Sequence, residues 1–167
     1  MVLGHLTVTA AGHRSLRRRF TWAAAVPLGP LLFGAYLPDL LDKPTALLTG
    51  LSGRGYGHSL VLQLAFFALA FALVRRPHRA ALGAVALGSA LHLLEDWVTL
   101  DVLLAPLLGP IPEVPMMPLL DKLLIFYTSG SVAMWLEVAA LAYWSVVGTR
   151  AWLGRSASVP GSLEGPA

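Results

Sequence analysis

The chain has 167 residues, enough for one domain, and is 56% hydrophobic but only 13% charged, with a mean hydropathy of +0.69. Soluble domains are about 25% charged, so this is the composition of a membrane protein. No cysteine is present, which excludes disulfides, zinc–thiolate sites and thiol chemistry and leaves nitrogen and oxygen ligands for any metal.

The net charge of +3 does not point to nucleic acid, because the basic residues sit in short clusters at the ends of apolar runs, the pattern of positive-inside topology. No Lys or Arg precedes the first apolar run, and Arg17, Arg18 and Arg19 follow it, so no cleavable signal peptide is expected. That first run, Val2 to Gly12, falls short of the roughly 20 residues a spanning helix needs and reads as a helix leaning on a bundle. The basic cluster His13, Arg14, Arg17, Arg18, Arg19 then marks a cytoplasmic loop. Thr21 to Leu37 is a second apolar segment, and Pro27 and Pro30 within it predict a kinked or broken helix.

Leu37 to Leu60 is a connector of unusual polarity, with Asp39, Asp42, Lys43, Arg54, His58 and Ser59 among glycines and prolines. Leu60 to Val74 carries no charge and, with Gly57 to Ser59, is long enough to be the clearest transmembrane helix. A second basic cluster, Arg75 to Arg79, closes it. Ala80 to Leu94 follows, with Gly83, Gly88 and Ser89 suited to close helix packing, and runs into His92, Glu95 and Asp96. Trp97 to Met117 is apolar but broken by Pro106, Pro110, Pro112 and Pro115, which predicts a re-entrant or interfacial segment. Ser131 to Val147 reads as the final span, and residues 154–167 have the composition of a disordered tail. The expectation is an all-α integral membrane bundle of about four to five helices, a single multi-pass domain over residues 1–153 in the cell membrane, with the lipid bilayer as its partner and no nucleic acid.

With every basic cluster placed in the cytoplasm, His5, Asp39, Asp42, His58, His92, Glu95 and Asp96 all fall at the outer ends of their helices. That convergence supports one shared site. His92 and Asp96, four apart, share a helix face, a standard way to present two ligands to one ion. Asp39 and Asp42 would share a face if helical, at a helix C-terminus whose dipole disfavours carboxylates unless a cation relieves it. Neutral imidazoles and carboxylates suit Zn, Mn or Fe(II), or Mg with more oxygen ligands. Arg54, flanked by glycines, suits a phosphate or carboxylate. Simpler roles stand beside these: Ser59 as an N-cap, Arg54 as a headgroup anchor, His13 and His78 as solvated residues of basic clusters, and Glu137 as an acid in the last span paired with a buried histidine.

The series Gly4-His5-Leu6, Leu37-Pro38-Asp39-Leu40-Leu41-Asp42-Lys43-Pro44, Ser52-Gly53-Arg54, Gly57-His58-Ser59-Leu60 and His92-Leu93-Leu94-Glu95-Asp96 resembles the membrane-bound, metal-dependent hydrolases, also described as LexA-binding, inner-membrane-associated hydrolases. The resemblance covers about the first 120 residues. It implies a small helical membrane protein in which His5, Asp39, His58, His92 and Asp96 hold a divalent metal ion. The chain departs from the family's usual pattern in two places, having one extra residue between Asp39 and Asp42 and one extra between Arg54 and His58. The expected activity is hydrolysis by a metal-activated water, with Glu95 or Asp42 as general base and Arg54 on an anionic substrate, a lipid or phosphoester at the extracytoplasmic interface. The alternative is a non-enzymatic membrane protein in which the same residues form a structural metal clamp or an ion or proton relay.

Overall fold

A computed structural model describes residues 2–51, 53–96, 98–115 and 117–156; the expected tail, apart from its first residues, lies outside them. The described chain forms eight α-helices: α1 (Val2–Arg17), α2 (Thr21–Ala24), α3 (Leu28–Thr49), α4 (Leu60–Leu73), α5 (Arg79–Glu95), α6 (Leu100–Leu103), α7 (Leu119–Thr128) and α8 (Val132–Ser156), with short 3-10 turns at Tyr56–His58 and Arg76–His78.

The all-α expectation stands, but the expectation of membrane-spanning helices is corrected. No helix among the described residues is long and apolar enough to cross a membrane. The most apolar run, α4, has 14 residues, about 21 Å at 1.5 Å per residue, against roughly 30 Å of hydrocarbon. It starts late because residues 56–58 turn tightly and Ser59 caps it, and it stops at Val74 before Arg75 and Pro77. Helices α1 and α5 have 16 and 17 residues, and the longer α3 carries Asp39, Asp42 and Lys43.

The break predicted around Pro27 falls between α2 and α3, where Pro27 is the extended N-cap residue of α3 and Pro30 sits in its first turn, where a missing amide costs nothing. The second half of the expectation fails. Instead of ending near Leu37, α3 runs on through Pro38 and Pro44 to Thr49 and stops at Gly50, whose φ of 70° gives a left-handed C-cap. A proline inside a helix costs about 3 kcal/mol; Pro38 is fully buried, so packing offsets the loss. Half of the polar connector is therefore helix, and Asp39 and Asp42 lie well inside it rather than at its dipole end.

The central packing is α3 against α5. A Cβ on Gly34 would lie 2.0 Å from the Val85 carbonyl oxygen, and one on Gly88 would lie 2.0 Å from that of Leu31. The two backbones touch directly, and Ala35 and Ala84 complete the buried seam. Helix α1 packs on α3 and α8, burying Gly4, His5, Thr9 and His13 along one side. Its first amides, Leu3 N–H and Gly4 N–H, donate to the Glu137 carboxylate of α8 at 3.0 and 2.7 Å, which satisfies helix-end donors and places a negative charge at the positive end of the dipole. Glu137 therefore caps a helix. His13, read from its basic neighbours as solvated, is instead buried and bonded to the Val26 carbonyl at 2.9 Å.

The proline-rich segment after α5 is irregular. It contains α6, a run of turns, and an extended stretch in which Pro115 bridges Leu51, while the carbonyl of the fully buried Ala105 accepts a bond from Ser59 Oγ. It thus lies over the loop between α3 and α4.

Gly34→Val and Gly88→Val place methyl groups against backbone that cannot yield locally. Each is expected to cost about 3 kcal/mol, read as a fall in thermal midpoint in detergent, whereas Gly12→Ala, whose Cβ would meet open space, leaves the midpoint unchanged or slightly raised.

Candidate metal centre

The site is assembled from α1, α3, α5 and the 3-10 turn before α4. Each of its three histidines is held in the same way. His58 Nδ1 lies 2.6 Å from Asp42 Oδ2, His92 Nδ1 lies 2.7 Å from the Ala35 carbonyl oxygen, and His5 Nδ1 lies 2.7 Å from Glu95 Oε2. A carbonyl oxygen only accepts, and so does an ionised carboxylate, so each Nδ1 carries the proton and donates it. Each Nε2 is thereby directed into a common space.

Within that space His92 Nε2 is 3.3 Å from His58 Nε2. His58 Nε2 is 3.9 Å from Asp39 Oδ1 and 3.7 Å from Asp96 Oδ2, and His5 Nε2 is 3.7 Å from Asp96 Oδ1. Ligand atoms of Asp39, His58 and His92 all lie within 4.8 Å of one another, a spacing that can hold a metal ion. His5, His58 and His92 are buried, while the Asp39 and Asp96 side chains are 14% and 22% exposed. The rings of His5 and His92 lie 4.4 Å apart between centroids.

The electrostatics differ between corners of the cluster. Burial opposes protonation of His5, but its bonds to Asp96 and Glu95 outweigh this and raise its pKa to about 9. Burial pushes His92 down to about 4, helped by the neighbouring charge of His5, so its imidazole is neutral. Burial alone would raise the Asp96 pKa, yet His5 and Arg54 hold the carboxyl well below the usual carboxylate range. The cluster therefore contains an anion, Asp96, beside a neutral imidazole, His92, whose Nε2 faces that of His58.

Asp42 does not face this space. Both of its oxygens are taken: Gly55 N–H and His58 N–H donate to Oδ2 at 2.7 and 3.1 Å, Gly57 N–H donates to Oδ1 at 2.8 Å, and His58 Nδ1 adds the fourth bond. It is only 6% exposed. Asp42 thus folds the 55–58 turn around itself and aims His58. Gly57 permits this because a Cβ there would strike the Pro38 carbonyl oxygen at 2.6 Å. Asp39, one turn earlier, is paired with Lys43 and turns its other oxygen toward His58.

Arg54 is engaged within the protein. Its Nε donates to Asp96 Oδ2 at 3.0 Å and its Nη2 to the Asp96 carbonyl at 2.8 Å, with the side chain 45% exposed. Ser59 caps α4, its Oγ accepting from Leu62 N–H at 3.2 Å. The Ala35 carbonyl is the contributor with no side-chain signal in the sequence; Gly34 beside it is the nearest trace, since it marks where the backbone comes close.

Residues 1–154 match the YdjM inner membrane protein family. The chain belongs to that family. Its description places the protein at the inner membrane, in keeping with the apolar composition. None of the curated proteins and none of the solved structures matches the chain.

Asp42→Ala strands three loop amides and the His58 Nδ1 donor. At about 1–3 kcal/mol for each buried unsatisfied donor, a loss of at least about 3 kcal/mol is expected in the thermal midpoint. Trypsin cleavage at Arg54 should accelerate in parallel, as the 55–58 turn loosens.

Proposed function

We propose that the cluster holds a divalent metal ion and that the protein is a metal-dependent hydrolase acting at the membrane. The observation that carries the reading is the facing of His58 Nε2 and His92 Nε2 at 3.3 Å, with both Nδ1 positions committed as donors. With a proton on each Nδ1, two neutral rings would turn their Nε2 lone pairs toward each other, and a cation held between them removes that repulsion. Anchored Nδ1 atoms with converging Nε2 atoms are the arrangement by which carboxylates and carbonyls orient metal-binding histidines.

The donor set fits such an ion. His58, His92 and Asp39 would hold it, with Asp96 and His5 completing the surroundings. Imidazole nitrogens with carboxylate oxygens and no thiolate suit Zn, Mn or Fe(II) better than Mg. A divalent ion supplies Lewis acidity and brings the pKa of a bound water toward neutrality, the chemistry that hydrolysis of an ester or phosphoester requires.

The chain's own residues take distinct parts. Asp42 is a positioning residue, because its oxygens are turned to the 55–58 turn and His58 Nδ1 and away from the converging Nε2 atoms. Glu95, 20% exposed and bonded to His5 Nδ1, would exchange protons with the cluster through the His5 ring. Arg54, fixed to Asp96 by two of its five donors, turns the rest of its fork toward an anionic group.

A structural clamp is the second reading, favoured by the near-complete burial of His58 and His92 and by the way the cluster ties α1, α3 and α5 together. The two separate by experiment. Elemental analysis of the purified protein should find about one transition-metal ion per chain, falling by at least ten-fold in His58→Ala and His92→Ala. Folded wild-type protein with no bound metal would overturn the reading. For a catalytic centre, chelation abolishes hydrolysis of a phosphoester panel with only a modest shift in thermal midpoint; for a clamp, the midpoint collapses and no member of the panel is turned over.

A further inference from the structure

A cleft of about 500 Å³ runs beside the cluster, between α3 and α4. Its wall on α3 follows one face from Leu37 through Leu41 and Thr45 to Thr49, a distance of about 18 Å along the helix axis. The opposite wall is Leu62, Phe66 and Phe67 of α4, and Asp42 separates the cleft from His58. The volume lies within the roughly 300–1,000 Å³ usual for small-molecule sites, and the shape is long rather than round.

The polar groups in these walls are largely committed to the protein. Thr45 and Thr49 hydroxyls donate to the Leu41 and Thr45 carbonyls of their own helix at 3.2 and 2.9 Å, Gln63 Nε2 donates to the Gly57 carbonyl at 2.7 Å, and Asp42 accepts from the 55–58 turn, while the buried Ser89 hydroxyl is the exception, with no partner among the described residues. The walls therefore favour an apolar occupant. The edges of the cleft are exposed and apolar, with Leu41 54% and Phe66 59% exposed, so an aliphatic group enters from hydrophobic surroundings. The charged rim consists of Arg54 and Glu113, and Arg54 reaches from the rim to Asp96 of the cluster.

We infer that this cleft binds the long aliphatic chain of an anionic membrane lipid, with the chain along α3 and the anionic head at Arg54 beside the His/Asp cluster. The inference rests on the hydrolase reading for its account of the head and on the cleft alone for the chain. Inner-membrane family membership supplies the source of such a chain.

The probe is hexadecylphosphonate, which carries the chain and an anionic head without a hydrolysable ester, measured by native mass spectrometry of the detergent-released protein as purified. One molecule per chain is expected, and butylphosphonate, with the same head and a short chain, should bind at least ten-fold more weakly. Hexadecyltrimethylammonium, with the same chain and the opposite charge, should also bind at least ten-fold more weakly. Thr45→Trp, introduced at an exposed position of the cleft wall, should reduce hexadecylphosphonate occupancy at least ten-fold, whereas Leu47→Trp, on the same helix outside the cleft, should not change it. Circular dichroism melting confirms that both variants are folded. Equal occupancy in wild type and Thr45→Trp, or equal binding of butylphosphonate, overturns the inference. Because butylphosphonate carries the same head, any contribution of a bound metal cancels in the comparison of the two chains, so failure of the hydrolase reading leaves the chain measurements unaffected, and failure of the chain measurements leaves metal analysis unaffected.

Discussion

Direct backbone contact between α3 and α5 is the constraint on which the rest of the structure depends. Gly34 lies against the Val85 carbonyl and Gly88 against that of Leu31, at distances that admit no side chain. Helices usually pack 8–10 Å apart, with side chains between them. Removing those side chains lets a main-chain carbonyl of one helix serve as a hydrogen-bond acceptor for the other, and the Ala35 carbonyl does so for His92 Nδ1. That bond fixes the tautomer and direction of His92. A small-residue seam, ordinarily a packing device, therefore also sets the chemistry of the cluster.

Asp42 is the second organising element. A buried carboxylate is costly unless its oxygens are satisfied, and here three backbone amides and an imidazole satisfy them. The loop after α3 closes around the aspartate, and His58 is delivered to the cluster as part of that closure. The other charges around the cluster are similarly compensated: Lys43 is paired with Asp39, Arg54 with Asp96, and Glu95 with His5. Such a network keeps several ionisable groups stable inside a chain that is only 13% charged, and it accounts for the polar cost through specific bonds rather than through exposure to water.

The cleft and the cluster meet at two residues, Asp42, which stands between the cleft and His58, and Arg54, which reaches from the rim to Asp96. This gives the molecule a hydrophobic compartment adjoining a charged one. The inferred occupant, an apolar chain with an anionic head, matches these two compartments part for part.

Much of the candidate site was legible in the residues. The pattern of His5, Asp39, His58, His92 and Asp96 along the chain, together with the basic clusters, pointed to residues that the fold places within a few ångströms of one another. Helical content and the break at Pro27 follow from local rules of periodicity and proline sterics. Other features depended on long-range packing and had no local signature. Burial carries α3 through Pro38 because the core offsets a local penalty, and the helix runs on past the exposed Pro44, so the polar connector is half helix. The length of α4 is set by the turn that wraps Asp42, which leaves the most apolar run too short to cross a membrane. Asp42, equivalent to Asp39 by residue type, became an orienting residue through its contact with the 55–58 turn, and Glu137 became a helix cap because α8 meets the start of α1. Sequence alone determined which residue types were available and their order; tertiary structure decided which nitrogen of each histidine is free, because that depends on the acceptor each Nδ1 meets across the fold.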